Sequence, residues 1–246
     1  MNIHILTLFP ELLEQIFSHS IVKRGREKHL FTIHCHQIRD YATDRHRSVD
    51  DYPYGGGGGM VMTPPPIFAA HDDVMKQLGG NQGVRTIYCT PKGKTFTQKM
   101  AVDLAGEEAL VFLCGHYEGV DQRVIDSLVT DEISIGDYVL TGGELPAAVM
   151  VDAIVRMIPG VLKSEDSYMD ESHYHALLEY PHYTRPPEFR GMKVPPTLLS
   201  GNHDLVRKWR RQESIRETWL KRPDLIPKAA LSSEELQWLK KLKQEV

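Results

Sequence analysis

The spacing of apolar positions changes period several times along the chain. Residues 3–8 are almost continuously apolar and read as a strand. From about Pro10 the apolar positions Leu12, Leu13, Ile16 and Phe17 recur at helical spacing, and Pro10 suits the first turn of a helix. Phe31, Ile33 and Cys35 alternate with Thr32, His34 and His36, which predicts a half-buried strand. Residues 83–89 and 109–114 are short, apolar and rich in β-branched or aromatic types, so both are predicted strands, with a helix over 98–104 between them. A short helix is predicted over 120–128. A longer one is predicted over 144–158, with Ala147, Ala148, Val151, Ile154, Val155 and Ile158 on its buried side. Strands that alternate with helices predict an α/β fold with a mainly parallel sheet covered on both faces. Ligands of such sheets bind beyond the carboxyl ends of the strands. This puts residues 89–91, 114–116 and 134–136 on one rim.

The pattern changes after Ile158. Residues 163–180 are polar without a clear period, residues 181–196 are rich in proline, and the remainder reads as helices only. Ser232 and Glu235 have the spacing of a capping box ahead of Leu236, Leu239 and Leu242. The expected organisation is an α/β domain over 1–160, a linker over 161–176 and a small all-helical domain over 177–246.

Composition narrows the class. With 41% hydrophobic and 25% charged residues the chain reads as soluble and globular. It holds no apolar run approaching a membrane span. The opening residues Met1–Leu6 lack the basic region and cleavage site of a signal peptide. Cys35, Cys89 and Cys114 are too few and too dispersed for a disulfide framework or a cysteine-rich zinc site, so the expected setting is a reducing cytoplasm. The net charge of −4 hides an asymmetry: residues 201–246 carry eleven Lys/Arg against seven Asp/Glu. Arg207, Lys208, Arg210, Arg211, Arg216, Lys221 and Arg222 stand close together there, as on a surface that follows a phosphate backbone. A solvated helix face is the plainer explanation of the same charges.

The five glycines 55–59 are not a phosphate loop of the Gly-x-x-x-x-Gly-Lys-Ser/Thr type, because Met60 and Val61 follow them. Tyr52 and Tyr54 before the run and Met60, Val61 and Met62 after it suggest an anchored loop with exposed backbone, where a linker would be the alternative. His34/His36 and His173/His175 lack the partners of a zinc site. No Gly-x-Ser-x-Gly elbow is present for a serine hydrolase. Gly136, Gly142 and Gly143, with Gly115 and Pro91 on the same rim, suggest a pocket walled by backbone amides and carbonyls, which suits a purine edge. Tight turns alone would use the same glycines.

Several long motifs resemble one family closely. They are YPYGGG at 52–57, LCGHYEGVDQR at 113–123, ISIGDYVLTGGELP at 133–146, PHYTRP at 181–186, LSGNH at 199–203 and TWLKRP at 218–223. In this order they resemble the bacterial tRNA (guanine-37-N1)-methyltransferases, from the N-terminal strand to at least Leu225. The resemblance implies the SPOUT architecture, in which the chain forms a deep trefoil knot late in the parallel domain. It also implies methylation of N1 of guanine-37, beside the anticodon, in tRNAs carrying guanine-36. The donor would be S-adenosylmethionine, bound at positions matching Tyr88, Thr90, Pro91, Gly115, Tyr117, Glu118, Ser134, Ile135, Gly136, Asp137, Tyr138, Val139, Leu140, Gly142, Gly143 and Pro146. Magnesium is a further expected cofactor, with Glu118 the candidate contact. The partners implied are the anticodon stem-loop of tRNA and a second copy of the chain, in a homodimer with shared active sites and no membrane. Gly59, His182, Arg185, Ser200, Gly201, His203, Arg207, Lys208, Arg210 and Arg211 are the expected tRNA contacts.

Guanine N1 carries a proton and is a poor nucleophile until that proton leaves, so a general base near N1 and a cation near O6 are required. By resemblance Arg156 supplies the cation. The base is a departure from the family pattern, which places Asp-Ser-Phe or Asp-Ser-Tyr ten residues before Pro181. That count reaches Glu171. Asp170 is its neighbour, and Asp166 in Glu165-Asp166-Ser167-Tyr168 has the most similar local sequence. His116, where many relatives carry Arg, is a second departure. Two further readings share parts of these features: a knotted ribose 2′-O-methyltransferase, and an RNA-binding protein that has lost catalysis.

Overall fold

A computed structural model describes residues 1–80, 83–163 and 171–245. The chain divides into two compact units, Met1–Ser164 and Glu165–Val246.

The first unit is built on five parallel strands: β1 (Asn2–Thr7), β2 (Thr32–Gln37), β5 (Arg85–Thr95), β6 (Ala109–Cys114) and β7 (Asp131–Ser134), ordered β2-β1-β6-β5-β7. Strand alternation sorts the side chains. Ile3, Ile5, Leu110, Phe112 and Cys114 enter one core layer, while Leu6, Val111 and Leu113 enter the other. α1 (Pro10–Phe17), α2 (Ser20–Glu27), α4 (Gln98–Ala105) and α6 (Glu144–Val155) supply the helical half of the first layer. α3 (Pro64–Gln77) and α5 (Gln122–Leu128) supply that of the second. A two-residue ladder pairs β3 (Asp50–Asp51) with β4 (Val61–Met62) across the glycine run. The α/β class and the mainly parallel sheet stand as the pattern predicts.

β5 extends beyond its expected end at residue 89. Its pairing with β7 breaks after Cys89↔Ile133 and resumes at Lys94↔Ile133. Residues 90–93 therefore bulge from the sheet edge. Gly93 permits this: a Cβ there would lie 2.4 Å from the Glu132 carbonyl carbon and the Ile133 nitrogen. Tyr52 and Tyr54 do not anchor the glycine run, being 78% and 100% exposed. The loop is held from its other end, where Glu118 N–H donates to Met60 O at 2.9 Å and Met62 N–H to Gly119 O at 2.9 Å.

The second unit contains α7 (Pro196–Leu199), α8 (His203–Lys221) and α9 (Ser233–Glu245), with a 3-10 stretch over Pro223–Lys228. Leu177, Ile215 and Leu239 form its small core. The expected all-helical domain over 177–246 is corrected by an antiparallel hairpin of β8 (Glu188–Phe189) and β9 (Met192–Lys193) inside its proline-rich stretch. Gly191, with φ of 77°, makes the tight turn, and two-residue strands are too short to leave an alternating pattern. The capping box forms as its spacing implies. Ser232 N–H donates to Glu235 Oε2 at 2.7 Å, and Glu235 N–H donates to Ser232 Oγ at 3.2 Å. Asn202 caps α8 by accepting from Asp204 N–H and Leu205 N–H.

Candidate functional site

β6 and β7 end at Cys114 and Ser134, beside Cys89 where β5 breaks into its bulge, and the segments that follow these three points enclose a cavity of about 390 Å³. Glycine is required in its walls. A Cβ on Gly143 would lie 2.6 Å from Cys114 Cα, and one on Gly115 would lie 3.0 Å from the Tyr88 ring. Gly143 N–H donates to Gly115 O at 2.9 Å, tying the 115 and 143 loops together. Gly136 follows Ser134, whose hydroxyl donates to Gly136 O at 2.9 Å and accepts from Gly136 N–H at 3.1 Å. Tyr138 N–H then donates to Gly136 O, closing a tight turn that carries Tyr138, Val139 and Leu140. Tyr117 adopts φ of 60°, a left-handed conformation unusual for a bulky residue and characteristic of functional loops.

The structure thus brings Tyr88, Thr90, Pro91, Gly115, Tyr117, Glu118, Ser134, Ile135, Gly136, Tyr138, Val139, Leu140, Gly142, Gly143 and Pro146 around one cavity. Asp137 is outside its lining. Lys92, Gln122, Glu132 and Ile133 line it too, and sequence reasoning did not reach them. Lys92 enters through the bulge, which Pro91 disguised as the end of a strand. Burial raises the Tyr88 phenol above its ordinary range, opposed by a hydrogen bond with the Val120 backbone, so Tyr88 stays neutral at physiological pH.

Below this rim lies a buried polar contact between distant parts of the sequence. Glu144, 3% exposed in the first turn of α6, accepts from the Thr7 hydroxyl at 2.6 Å and lies 2.6 Å from His116 Nε2. His116 also packs edge-on against Phe9 and bridges to Gly142. The helix N-terminus favours a carboxylate at this place. His116, the second departure from the family pattern, is therefore a strut between the 116 loop and α6.

The remaining candidates are dispersed. Arg156 is the half-buried residue that closes α6 and is not in the cavity lining. Gly59 lies against the Glu118 side chain. Asp170 and Asp166 lie outside the described residues. Glu171 belongs to the second unit, where it lines a separate cavity of about 250 Å³ with Arg207, Arg210 and Arg211. His182, Arg185, Ser200, Gly201, His203 and Lys208 are all on the surface of that unit. Much of its basic charge is internally paired: Arg207 with Asp204, Lys208 with Glu234, and Arg211 with Glu235. Among the described residues no group of three His, Cys, Asp or Glu side chains has the arrangement of a metal centre. No helix there is long and apolar enough to cross a membrane.

A parallel α/β unit with a glycine-walled cavity beyond three adjacent carboxyl ends is the architecture of a protein that binds a small nucleotide-like ligand. Comparison with known proteins narrows this. The family model described as tRNA (Guanine-1)-methyltransferase TrmD matches residues 1–228. The chain is 59% identical over 242 residues to a tRNA (guanine-N(1)-)-methyltransferase of Alkaliphilus metalliredigens, covering 98% of each chain. It is 53% identical over 245 residues to a protein of the same name from Bacillus cereus, covering 100% of each. The like-named protein of Pelotomaculum thermopropionicum is 54% identical, with 98% of this chain and 96% of that one covered. The chain belongs to the tRNA (guanine-1)-methyltransferase TrmD family and is a methyltransferase.

Proposed function

We propose that the chain transfers the methyl group of S-adenosylmethionine to N1 of guanine-37 in tRNAs with guanine at position 36, acting as a cytoplasmic homodimer with shared sites. One observation supports this most: a single cavity gathers all but one of the positions expected to hold the donor. The residues there fit such a ligand. Gly115, Gly142 and Gly143 leave main-chain groups open to a purine edge, and Ile133, Ile135, Leu140 and Pro146 give it apolar walls. The trefoil knot enters this reading through the family, in the loops that follow β6 and β7.

When bound, the donor supplies a sulfonium methyl group that needs orientation more than activation. The protein must hold guanine with N1 in line, remove the N1 proton and balance charge on O6. In this reading Glu171 takes the proton, with Asp170 and Asp166 the alternatives, and Arg156 faces O6. Glu118 is the cavity carboxylate suited to magnesium, which commonly uses one or two protein carboxylates and completes its shell with water and substrate oxygens. The knot and helical units are assigned as residues 1–160 and 177–246, joined by a linker over 161–176, the helical unit carrying the tRNA contacts. A dimer is supported by apolar surface on two packed helices, with Leu12 and Ile16 on α1 and Leu145 and Val149 on α6 all exposed.

The test is transfer of radiolabelled methyl from S-adenosylmethionine to an unmodified transcript with guanine at 36 and 37, followed by nucleoside analysis. N1-methylguanine at position 37 is the expected product. Glu171→Ala, Asp170→Ala and Asp166→Ala are assayed alongside, and the variant that loses turnover while still binding the donor marks the base. A wild-type chain that binds the transcript and transfers nothing overturns the proposal in favour of an RNA-binding role.

A further inference from the structure

The main chain and the ring of His116 are both tied down, and the ties lead to separate stretches of the first unit. Its N–H donates to Met62 Sδ at 3.2 Å, and its carbonyl accepts from Gly119 N–H at 3.1 Å. The tie of the ring has a fixed direction. Phe9 N–H donates to Thr7 Oγ1 at 2.9 Å, and the Thr7 hydroxyl gives its proton to Glu144 Oε1. A carboxylate only accepts, so His116 carries a proton on Nε2 and donates it to Glu144 Oε2 at 2.6 Å. The side chains of His116 and Glu144 are 16% and 3% exposed, which keeps water from competing for this hydrogen bond. The imidazole also occupies the space beside Gly142, where a Cβ would lie 2.2 Å from its Cε1. Phe9 packs edge-on against the ring, with centroids 5.0 Å apart.

The next residue shows what these ties hold. Tyr117 has φ of 60°, a conformation that a bulky residue avoids in a free chain. Gly115, Tyr117 and Glu118, on either side of His116, all line the cavity assigned to the donor. We infer that His116 is a positioning residue for that donor: its hydrogen bond to Glu144 holds the 115–118 loop in the arrangement that fits the ligand. It acts through Gly115, Tyr117 and Glu118 and not on the methyl group. Released from Glu144, Tyr117 relaxes towards ordinary backbone angles, and the loop is ready for the ligand only a fraction of the time. The observed affinity falls by that fraction, while a chain that has bound the donor is unchanged. The role rests on the proposed donor, whereas the tie itself is read without any ligand.

The experiment compares full-length wild type with His116→Asn, His116→Gln, Glu144→Gln and the His116→Asn/Glu144→Gln double variant. An Asn side chain ends short of Glu144, whereas a Gln amide reaches the place of the imidazole Nε2 and still donates. Glu144→Gln leaves one acceptor oxygen for two donors. Calorimetry with S-adenosylmethionine shows affinity about tenfold weaker in His116→Asn and in Glu144→Gln, and within about threefold of wild type in His116→Gln. The double variant is no weaker than either single one, because both remove the same contact. In methyl transfer to the unmodified transcript, KM for the donor rises by the same factor and kcat stays within about twofold of wild type. Without ligand, amide hydrogen exchange of Glu118, Gly119 and Gly143 quickens about tenfold in the two weak variants and is unchanged in His116→Gln. A contact that served stability alone would lower the urea midpoint and leave donor affinity as it was, and that result overturns the inference. It is overturned too if His116→Gln is as weak as His116→Asn, if the losses add in the double variant, or if kcat falls in step with affinity. A wild type that fails to bind S-adenosylmethionine but shows the exchange pattern refutes the donor reading and leaves the tie standing.

Discussion

Three imidazoles stack at the edge of the sheet, and acid should unfold the chain through them. His4 on β1 is 4% exposed, and its ring lies 5.1 Å from that of His34 and 5.2 Å from that of His36 on β2. One ring nitrogen donates to the other across the 2.9 Å between His4 Nδ1 and His36 Nε2. Burial first, then the neighbouring His36 and His34, lowers the His4 pKa from 6.5 to about 4. The folded protein therefore holds His4 neutral, while the unfolded chain takes up its proton near 6.5. Stability is complete above that pH, is lost as pH falls below it, and stops falling near 4, where the folded state is protonated as well. At about 1.4 kcal/mol per pH unit the whole shift is worth about 3 kcal/mol, of which about 2 kcal/mol is lost between pH 7 and pH 5. His36 is lowered too, by burial and by His34, with Asp73 opposing, so it adds to the loss in the same direction. The perturbation is His4→Gln, which keeps a hydrogen-bonding group beside His36 and cannot titrate. Urea unfolding followed by far-ultraviolet circular dichroism at the two pH values is the assay. All three tryptophans, Trp209, Trp219 and Trp238, belong to the second unit, so their fluorescence serves as an internal control. Wild type should lose about 2 kcal/mol more than His4→Gln on acidification. Equal losses in the two proteins would refute the reasoning.

Gly143→Ala places a Cβ 2.6 Å from Cys114 Cα, so S-adenosylmethionine affinity by calorimetry should fall at least about tenfold, whereas Gly106→Ala at a helix end should leave it unchanged. Glu144→Ala leaves the Thr7 hydroxyl and His116 without their acceptor and should lower stability by about 2 kcal/mol or more in urea titrations, with no such loss expected for the exposed Glu118→Ala. Ser232→Ala removes the cap of α9 and should cost the second unit about 1 kcal/mol, read from tryptophan fluorescence because Trp238 lies on that helix.

Much of the first unit could be read from its side chains because its elements are locally self-consistent. Residues 109–114 are apolar at every position, as a strand buried on both faces must be, and all six are buried. The same logic fails where the local signal is thin. α2, with the sequence SIVKRGRE, buries only Val22 and Gly25, too little for an apolar stripe, and it was not expected. α3 was not expected either, and it begins with Pro64, Pro65 and Pro66; a first helical turn accepts prolines because its N–H groups have no partner within the helix. Three-residue punctuation of this kind is ambiguous until the following Ile67, Ala70 and Val74 are seen to enter the core.

The candidate site divides along the same line. Its glycines were visible because they are rare, clustered residues whose missing side chains have to be explained by something close to them, and Gly115, Gly142 and Gly143 do approach neighbouring atoms tightly. The polar strut beneath it was not visible, because Thr7 and Glu144 are 137 residues apart and only the strand order brings β1 beside β6 and under α6. The histidines show the limit from the other side. His34 and His36 were legible as a pair on one face of β2, but the third member arrives through the parallel register His4↔His34, a pairing no local pattern encodes. That third ring decides the chemistry. Two exposed histidines on an edge strand would titrate as independent groups near their ordinary pKa. With His4 buried beside them, His4 and His36 are both lowered below the ordinary histidine range, chiefly by burial, so the acid sensitivity of the fold is set by strand register more than by histidine content.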